Sequence, residues 1–211
     1  MAQYEKGILG KFSGTVGTVV GSSWKGIDYM RSKGGKRKSS PSSKQQAHQA
    51  RFSLVSRFVN PLASLFNLTF RDYAVGITGV NYVFKQVMEL VSGTYPALSI
   101  RYNEALIAKG SLTNADTPQA VSSAGSRISY SWNDNSGSGS AKGTDKVILV
   151  AYCDELEAAE FTIGPATRAD RSSTLNVPRF AGKTVHTWIS LVSADESEIA
   201  TSFYTGALMV S

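Results

Sequence analysis

Asp145-Lys146-Val147-Ile148-Leu149-Val150-Ala151-Tyr152-Cys153 is the stretch on which the fold turns. Its seven consecutive apolar residues from Val147 are rich in β-branched side chains and too few for a core helix, so they read as a buried strand. Ahead of it, Ile128-Ser129-Tyr130-Ser131-Trp132 alternates apolar and polar residues, the period of a strand with one face inward. Around these two, spanning 126–133 and 146–153, further β-type runs fall near 98–102, 105–109, 159–163, 173–177, 184–193 and 199–209. Gly-Ser-Gly-Ser at 137–140, Gly164-Pro165 and Ala194-Asp195-Glu196-Ser197 supply turns between them. Seven or eight short strands over residues 95–211, with no helical period among them, predict a two-sheet sandwich rather than a parallel α/β sheet.

The same segments carry a resemblance. Ile128–Trp132 followed by Asp145–Tyr152 looks like the early strands of a fibronectin type III-like sandwich, which sets a Trp on one inner strand and a Tyr on the next. Phe180-Ala181-Gly182-Lys183-Thr184-Val185-His186-Thr187-Trp188-Ile189-Ser190-Leu191 is similar to the penultimate strand of such domains, with Val185 and His186 standing where the tyrosine corner is expected. The resemblance covers about residues 95–211 and implies an immunoglobulin/fibronectin type III-like scaffold.

Residues 45–94 have a different period. Phe52, Val55, Val59, Leu62 and Phe66 recur at helical steps, with Leu54, Phe58 and Leu65 widening the stripe. Ser42 or Ser43 can cap this helix, with Gln45 and Gln46 in its first turn, and Pro61 should end or kink it near Val59. A second, shorter helix is expected over 80–91, where Val80, Phe84, Val87, Met88 and Val91 share a face. Both stripes read as core contacts.

Glycine dominates the N-terminal stretch: Gly7, Gly10, Gly14, Gly17 and Gly21 alternate spacings of three and four, and Gly26, Gly34 and Gly35 follow. The β-branched Thr15-Val16 and Thr18-Val19-Val20 between them oppose a helix. Strands are expected over 13–20 and 23–31, joined around Gly21-Ser22, with Trp24, Ile27 and Tyr29 as apolar anchors. Glycines in strands let another backbone approach closely, so the arm is expected to lie on its own domain or on a neighbouring subunit. Gly10, Gly14, Val16, Gly17, Val19, Gly21 and Trp24 are its candidate assembly residues.

Charge separates this arm from the rest. Residues 1–51 hold ten Lys/Arg against two acids, and the remainder holds twelve against fourteen. Arg31, Lys33, Lys36, Arg37, Lys38 and Lys44 form the candidate contact for nucleic acid or an acidic protein surface, acting by counterion release or by attraction to another subunit. No base-reading motif accompanies them.

Motifs for chemistry are not found. His48 and His186 lie in separate regions, no Gly-x-Ser-x-Gly elbow exists, and one cysteine with two distant histidines gives no zinc spacing. Asp154-Glu155-x-Glu157 with Glu160 lacks the calcium-loop pattern, and Gly34-Gly35-Lys36 lacks the phosphate-loop pattern. Catalytic residues, metal and cofactor are all expected to be none, and the chain is not expected to be an enzyme. Cys153 reads as a small buried hydrophobe, and a lone cysteine excludes an internal disulfide. No apolar run is long enough to span a membrane. Met1-Ala2-Gln3-Tyr4-Glu5-Lys6 lacks a signal-peptide pattern, so synthesis in the cytoplasm is expected, with delivery into a virion or extracellular assembly.

Taken whole, the chain resembles a family of uncharacterised proteins of Bacteroidota and their phages. Gly10-Lys11-Phe12-Ser13-Gly14-Thr15-Val16-Gly17-Thr18-Val19-Val20-Gly21, Trp24-Lys25-Gly26, Tyr29-Met30-Arg31 and Gln46–Phe52 carry that likeness. The fold expected is mainly β, α+β overall: a glycine-rich β arm and basic linker (1–44), one or two amphipathic helices (45–94), and an immunoglobulin/fibronectin type III-like sandwich (95–211). The function expected is a non-enzymatic, self-assembling structural protein, a homo-oligomer or partner of other structural subunits in a virion, tail or filament. A basic-arm nucleic-acid-binding module is the alternative. A surface or carbohydrate-binding adhesin, with Trp132 and Trp188 as stacking candidates, is the second alternative.

Overall fold

The computed structural model describes residues 3–4, 10–35 and 40–211. Two compact units are distinguished, Met1–Ser42 and Ser43–Ser211. The first is an antiparallel meander of β1 (Gln3–Tyr4), β2 (Phe12–Val16), β3 (Val19–Trp24) and β4 (Ile27–Ser32), in that spatial order. Its turns correct the strand limits expected from sequence. Gly17, at φ 59°, opens the two-residue turn after Val16, and Lys25 and Gly26, at φ 48° and 81°, close the next hairpin. Positive φ at these positions is what tight hairpins demand. Gly21 is therefore no turn residue: it lies inside β3, paired with Gly14 on one side and Met30 on the other.

The second unit begins with α1 (Ser43–Val59), a 3-10 turn at Asn60–Leu62, α2 (Ala63–Thr69) and α3 (Gly79–Glu89). Pro61 acts as expected: without an N–H, and with its ring against the preceding turn, it cannot continue α1, and the chain tightens before α2 resumes. The Thr78 side chain caps α3 by accepting from the Asn81 N–H at 3.2 Å. Val55, Phe58, Val59, Leu62, Leu65 and Phe66 are buried as the helical stripe requires. Phe52 is half-exposed and packs its ring against Phe84 at 4.7 Å between centroids.

After the helices, β5 (Val91–Thr94) and β6 (Ala97–Ile100) form a separate hairpin. Seven further strands make the sandwich: β7 (Asp116–Ser123), β8 (Arg127–Asn133), β9 (Lys146–Cys153), β10 (Ala158–Thr167), β11 (Ser172–Asn176), β12 (Thr184–Val192) and β13 (Phe203–Met209). One sheet runs β11-β8-β7, the other β10-β9-β12-β13, all antiparallel, which is the fibronectin type III-like arrangement. Two expected strands move. The 98–102 run belongs largely to the β5–β6 hairpin, and 105–109 is irregular backbone pinned by the Ser202 hydroxyl on Ile107 N–H and by Trp188 Nε1 on the Ala105 carbonyl. The first sandwich strand is instead β7, whose polar sequence and Pro118 suit an edge. Gly164-Pro165 is not a turn but an irregularity within β10, where the pairing register shifts between Ile163 and Thr167.

β9 explains its own unbroken apolar sequence. Val147, Leu149, Ala151 and Cys153 enter the core between the sheets with Ile128, Tyr130, Trp132, Leu175 and Phe180. Ile148, Val150 and Tyr152 face the other way, into a second core with Phe58, Leu62, Phe66 and Trp188. The unit is thus three layers: helices, four-stranded sheet, three-stranded sheet. Each fully buried Val, Leu or Ile of β9 contributes roughly 1.5–3 kcal/mol. The buried polar atoms of the aromatic residues are paired, Tyr130 OH donating to Val150 O at 2.9 Å and Trp132 Nε1 to Arg168 O at 2.8 Å.

At the end of the sandwich that holds the 134–145 loop, Arg168 and Asp145 form an ion pair with no solvent exposure. Arg168 Nε and Nη2 donate to Asp145 Oδ2 at 3.1 and 2.9 Å. Its remaining donors reach Thr113 O, Asn114 O and Asn135 Oδ1. One side chain therefore ties three loops together, while Asp145 Oδ1 is buried without a hydrogen bond. Replacing Arg168 by Met leaves the buried Asp145 carboxylate with the Lys142 N–H alone in place of its ion pair, and strands three acceptors. The expected cost is on the order of 3–5 kcal/mol, read as a lower urea midpoint by tryptophan fluorescence.

His186 sits on β12 in an aromatic nest: its ring lies 4.1 Å from that of Tyr102, and its Nδ1 is 2.8 Å from Tyr204 OH. Burial lowers its pKa, opposed by the nearby Asp154 carboxylate, which itself accepts from Tyr102 OH. The neutral ring is thus favoured in the fold, while the unfolded chain takes up a proton near pH 6.5. His186 should therefore make the protein lose stability as pH falls below about 6.5. Melting temperatures between neutral and mildly acidic pH should drop for the natural chain and less for His186→Gln.

Candidate functional site

The arm sheet is built so that its register sorts side chains onto two faces. Val16 pairs with Val19, Val19 with Ser32, and Gly21 with Met30, placing Val16, Val19, Gly21 and Met30 on one face together with Gly14. Ser22 pairs with Tyr29, Trp24 with Ile27, and Val20 with Arg31, placing those residues on the other. The assembly residues expected from sequence are therefore divided: Val16 and Val19 share a face, and Trp24 belongs to the opposite one.

Glycine has a specific task at Gly21. A Cβ there would penetrate the backbone carbonyl of Phe12 and lie 2.7 Å from its ring carbons. The Phe12 ring thus crosses β3 over a position that only glycine leaves open. Gly10 and Phe12, with Ser22, Asp28, Tyr29 and Met30, line an open cleft of about 190 Å³ on this sheet. Gly14 lies in β2, and Gly17 in the hairpin turn.

A sheet this small leaves apolar surface in water. Val16 is 44% exposed, Val19 37%, Met30 71%, Trp24 62% and Tyr29 44%, and every residue of the edge strand β4 is exposed. Ile27 and Tyr29 were legible as apolar anchors. Met30, the most exposed of these side chains, was missed, although its two-residue offset from Asp28 and Ser32 follows the strand period.

Of the basic candidates, Arg31 is exposed on β4, and Lys33 is exposed just beyond it, its backbone N–H donating to Thr18 O at 2.7 Å. Lys44 belongs to the second unit, exposed in the first turn of α1. Lys36, Arg37 and Lys38 lie outside the described residues. Lys25, not singled out from sequence, holds its Nζ 5.2 Å from the centre of the Trp24 ring.

The other residues weighed for chemistry have structural surroundings. His48 is exposed on α1, and His186 is the half-buried ring described above. The acidic run is divided among neighbours: Asp154 with Tyr102, Glu155 with Lys183, Glu157 with Arg57, and Glu160 with Arg179. Among the described residues, no three His, Cys, Asp or Glu side chains gather as a metal site, and no helix is long and apolar enough to cross a membrane.

Substituting Gly21 by Ala tests the close approach directly. The added methyl should separate β2 from β3 and raise amide exchange throughout residues 12–24, while the main unfolding transition of the sandwich stays within about 0.5 kcal/mol of the natural chain. Exchange unchanged in β2 and β3 would refute the account.

The model for a family of unknown function, DUF6266, matches residues 11–206, taking in both the arm and the sandwich. No curated protein matches the chain. Among solved structures, the chain is similar to the fibronectin type III domain of the human collagen α-1(XX) chain, at 12% identity and a TM-score of 0.37, over 49% of this chain and 90% of that one.

Proposed function

The chain belongs to the family of unknown function DUF6266, and on that premise we propose that it is a non-enzymatic structural protein that assembles through its glycine-rich arm. The carrying observation is the apolar face of Val16, Val19 and Met30, left in water beside a six-residue edge strand whose side chains are all exposed. Such a face and edge favour a partner that covers the one and extends the other.

A second copy of this chain is the partner best supported. Residues 1–42 carry eight Lys/Arg against two acids and residues 43–211 carry fourteen of each, so the arm of one copy meets a body of no net charge, without like-charge repulsion. An assembly of this kind suits a virion, tail or filament component. The carbohydrate-binding reading drew on Trp132 and Trp188, and both are buried in the cores, where no sugar ring can stack on them.

Light scattering of the full chain should show oligomers that grow with concentration. Lys substitutions at Val16, Val19 and Met30 should reduce them to monomers without altering the far-ultraviolet circular dichroism of the sandwich. A natural chain that stays monomeric at high concentration, and is unchanged by these substitutions, would overturn the reading.

A further inference from the structure

The opposite face of the arm sheet has a different chemistry from the one assigned to assembly. Trp24 and Tyr29 stand on it from adjacent strands beside Ile27, Trp24 mostly and Tyr29 nearly half exposed. Trp24 pairs directly with Ile27 and Tyr29 with Ser22, so the two residues occupy diagonal positions, roughly 7–8 Å apart and somewhat less between Cβ atoms. Cations surround them. Arg31 shares the face, two residues along β4 from Tyr29, the Lys25 ammonium lies over the Trp24 ring, and Lys33 follows. Over residues 20–44 the sequence holds seven Lys/Arg and one acid, Asp28, which projects from the other face.

We infer that this face is a platform for single-stranded nucleic acid, with Trp24 and Tyr29 stacking on unpaired bases and Lys25, Arg31 and Lys33 neutralising phosphates. Flat aromatic surface and positive charge in alternation suit a polyanion that carries planar groups. Of the cations here, Lys25 and Lys33 argue against a protein partner, because lysine is depleted at protein interfaces. A duplex keeps its base faces inside the stack and would engage only the cations. The inference goes beyond assembly and uses different residues, so each can fail alone.

The test is fluorescence anisotropy of labelled oligothymidylate and oligouridylate with the full chain at low and moderate salt. Trp24→Ala and Tyr29→Ala should each weaken single-strand binding by about 5- to 100-fold and leave the weaker duplex binding unchanged. Trp24→Phe should retain most of the affinity. Lys33→Ala should weaken single strand and duplex alike, and shrink the salt dependence by about one phosphate contact. Trp132 and Trp188 are buried, so oligonucleotide should also shield the exposed Trp24 from iodide quenching in the natural chain. That readout needs no variant to fold. Oligonucleotide bound without shielding Trp24, or with equal affinity by the alanine variants, would overturn the platform. So would no binding at low salt. Trp24→Ala that lowers self-association and leaves nucleic-acid affinity intact would make this face a subunit contact and also overturn the inference.

Discussion

β9 must be apolar on both sides because it is the middle layer of three. A sandwich standing alone exposes the outer face of each sheet, and its strands alternate. Here α1 and α2 cover the outside of the four-stranded sheet, so Ile148, Val150 and Tyr152 are as dry as Val147, Leu149 and Ala151. The same covering explains why Trp188 turns toward the helices and Trp132 toward the other sheet, each with its indole N–H on a backbone carbonyl. A register slip of one residue in β9 would exchange the two sets of side chains. It would put Tyr152 into the inter-sheet core and Cys153 against Phe58, and neither space matches the side chain it would receive.

The sandwich was legible because its central strands pack by hydrophobicity, and hydrophobicity is written in sequence. β8, β9 and β12 fell where the apolar runs put them, and Pro61 stopped α1 where its missing N–H requires. β7 was not legible. Its Thr-Pro-Gln-Ala-Val-Ser-Ser gives no apolar alternation, since an edge strand owes its place to pairing with β8 rather than to burial. Residues 105–109 misled for the opposite reason: Ile107 and Ala108 are buried, but side chains of distant residues satisfy the backbone there. The Arg168–Asp145 pair left no local signal at all, because its members are brought together only when three loops close.

The arm was half legible. Glycine spacing announced close backbone approach, and Gly21 beneath Phe12 is such an approach. The spacing did not say which glycines turn the chain, because that depends on φ rather than on composition, and the turns fall at Gly17 and Gly26. Nor did the list of apolar residues say that Trp24 and Val19 point apart. Parity along β3 decides it, and parity is fixed only once the hairpin turns are placed. A turn at Gly21-Ser22, four residues from either actual turn, would have paired Val19 with Trp24 and merged two faces with distinct chemistry into one.

Cys153 closes β9 in the core between the sheets, and it is the chain's one thiol. A reagent can reach its sulfur only when the two sheets part, so the rate of thiol modification is a clock for the deepest opening of the molecule. Motions of the arm or fraying of the β5–β6 hairpin would pass unrecorded. The protein thus carries a reporter that separates wholesale unfolding from everything gentler, without any label having been introduced.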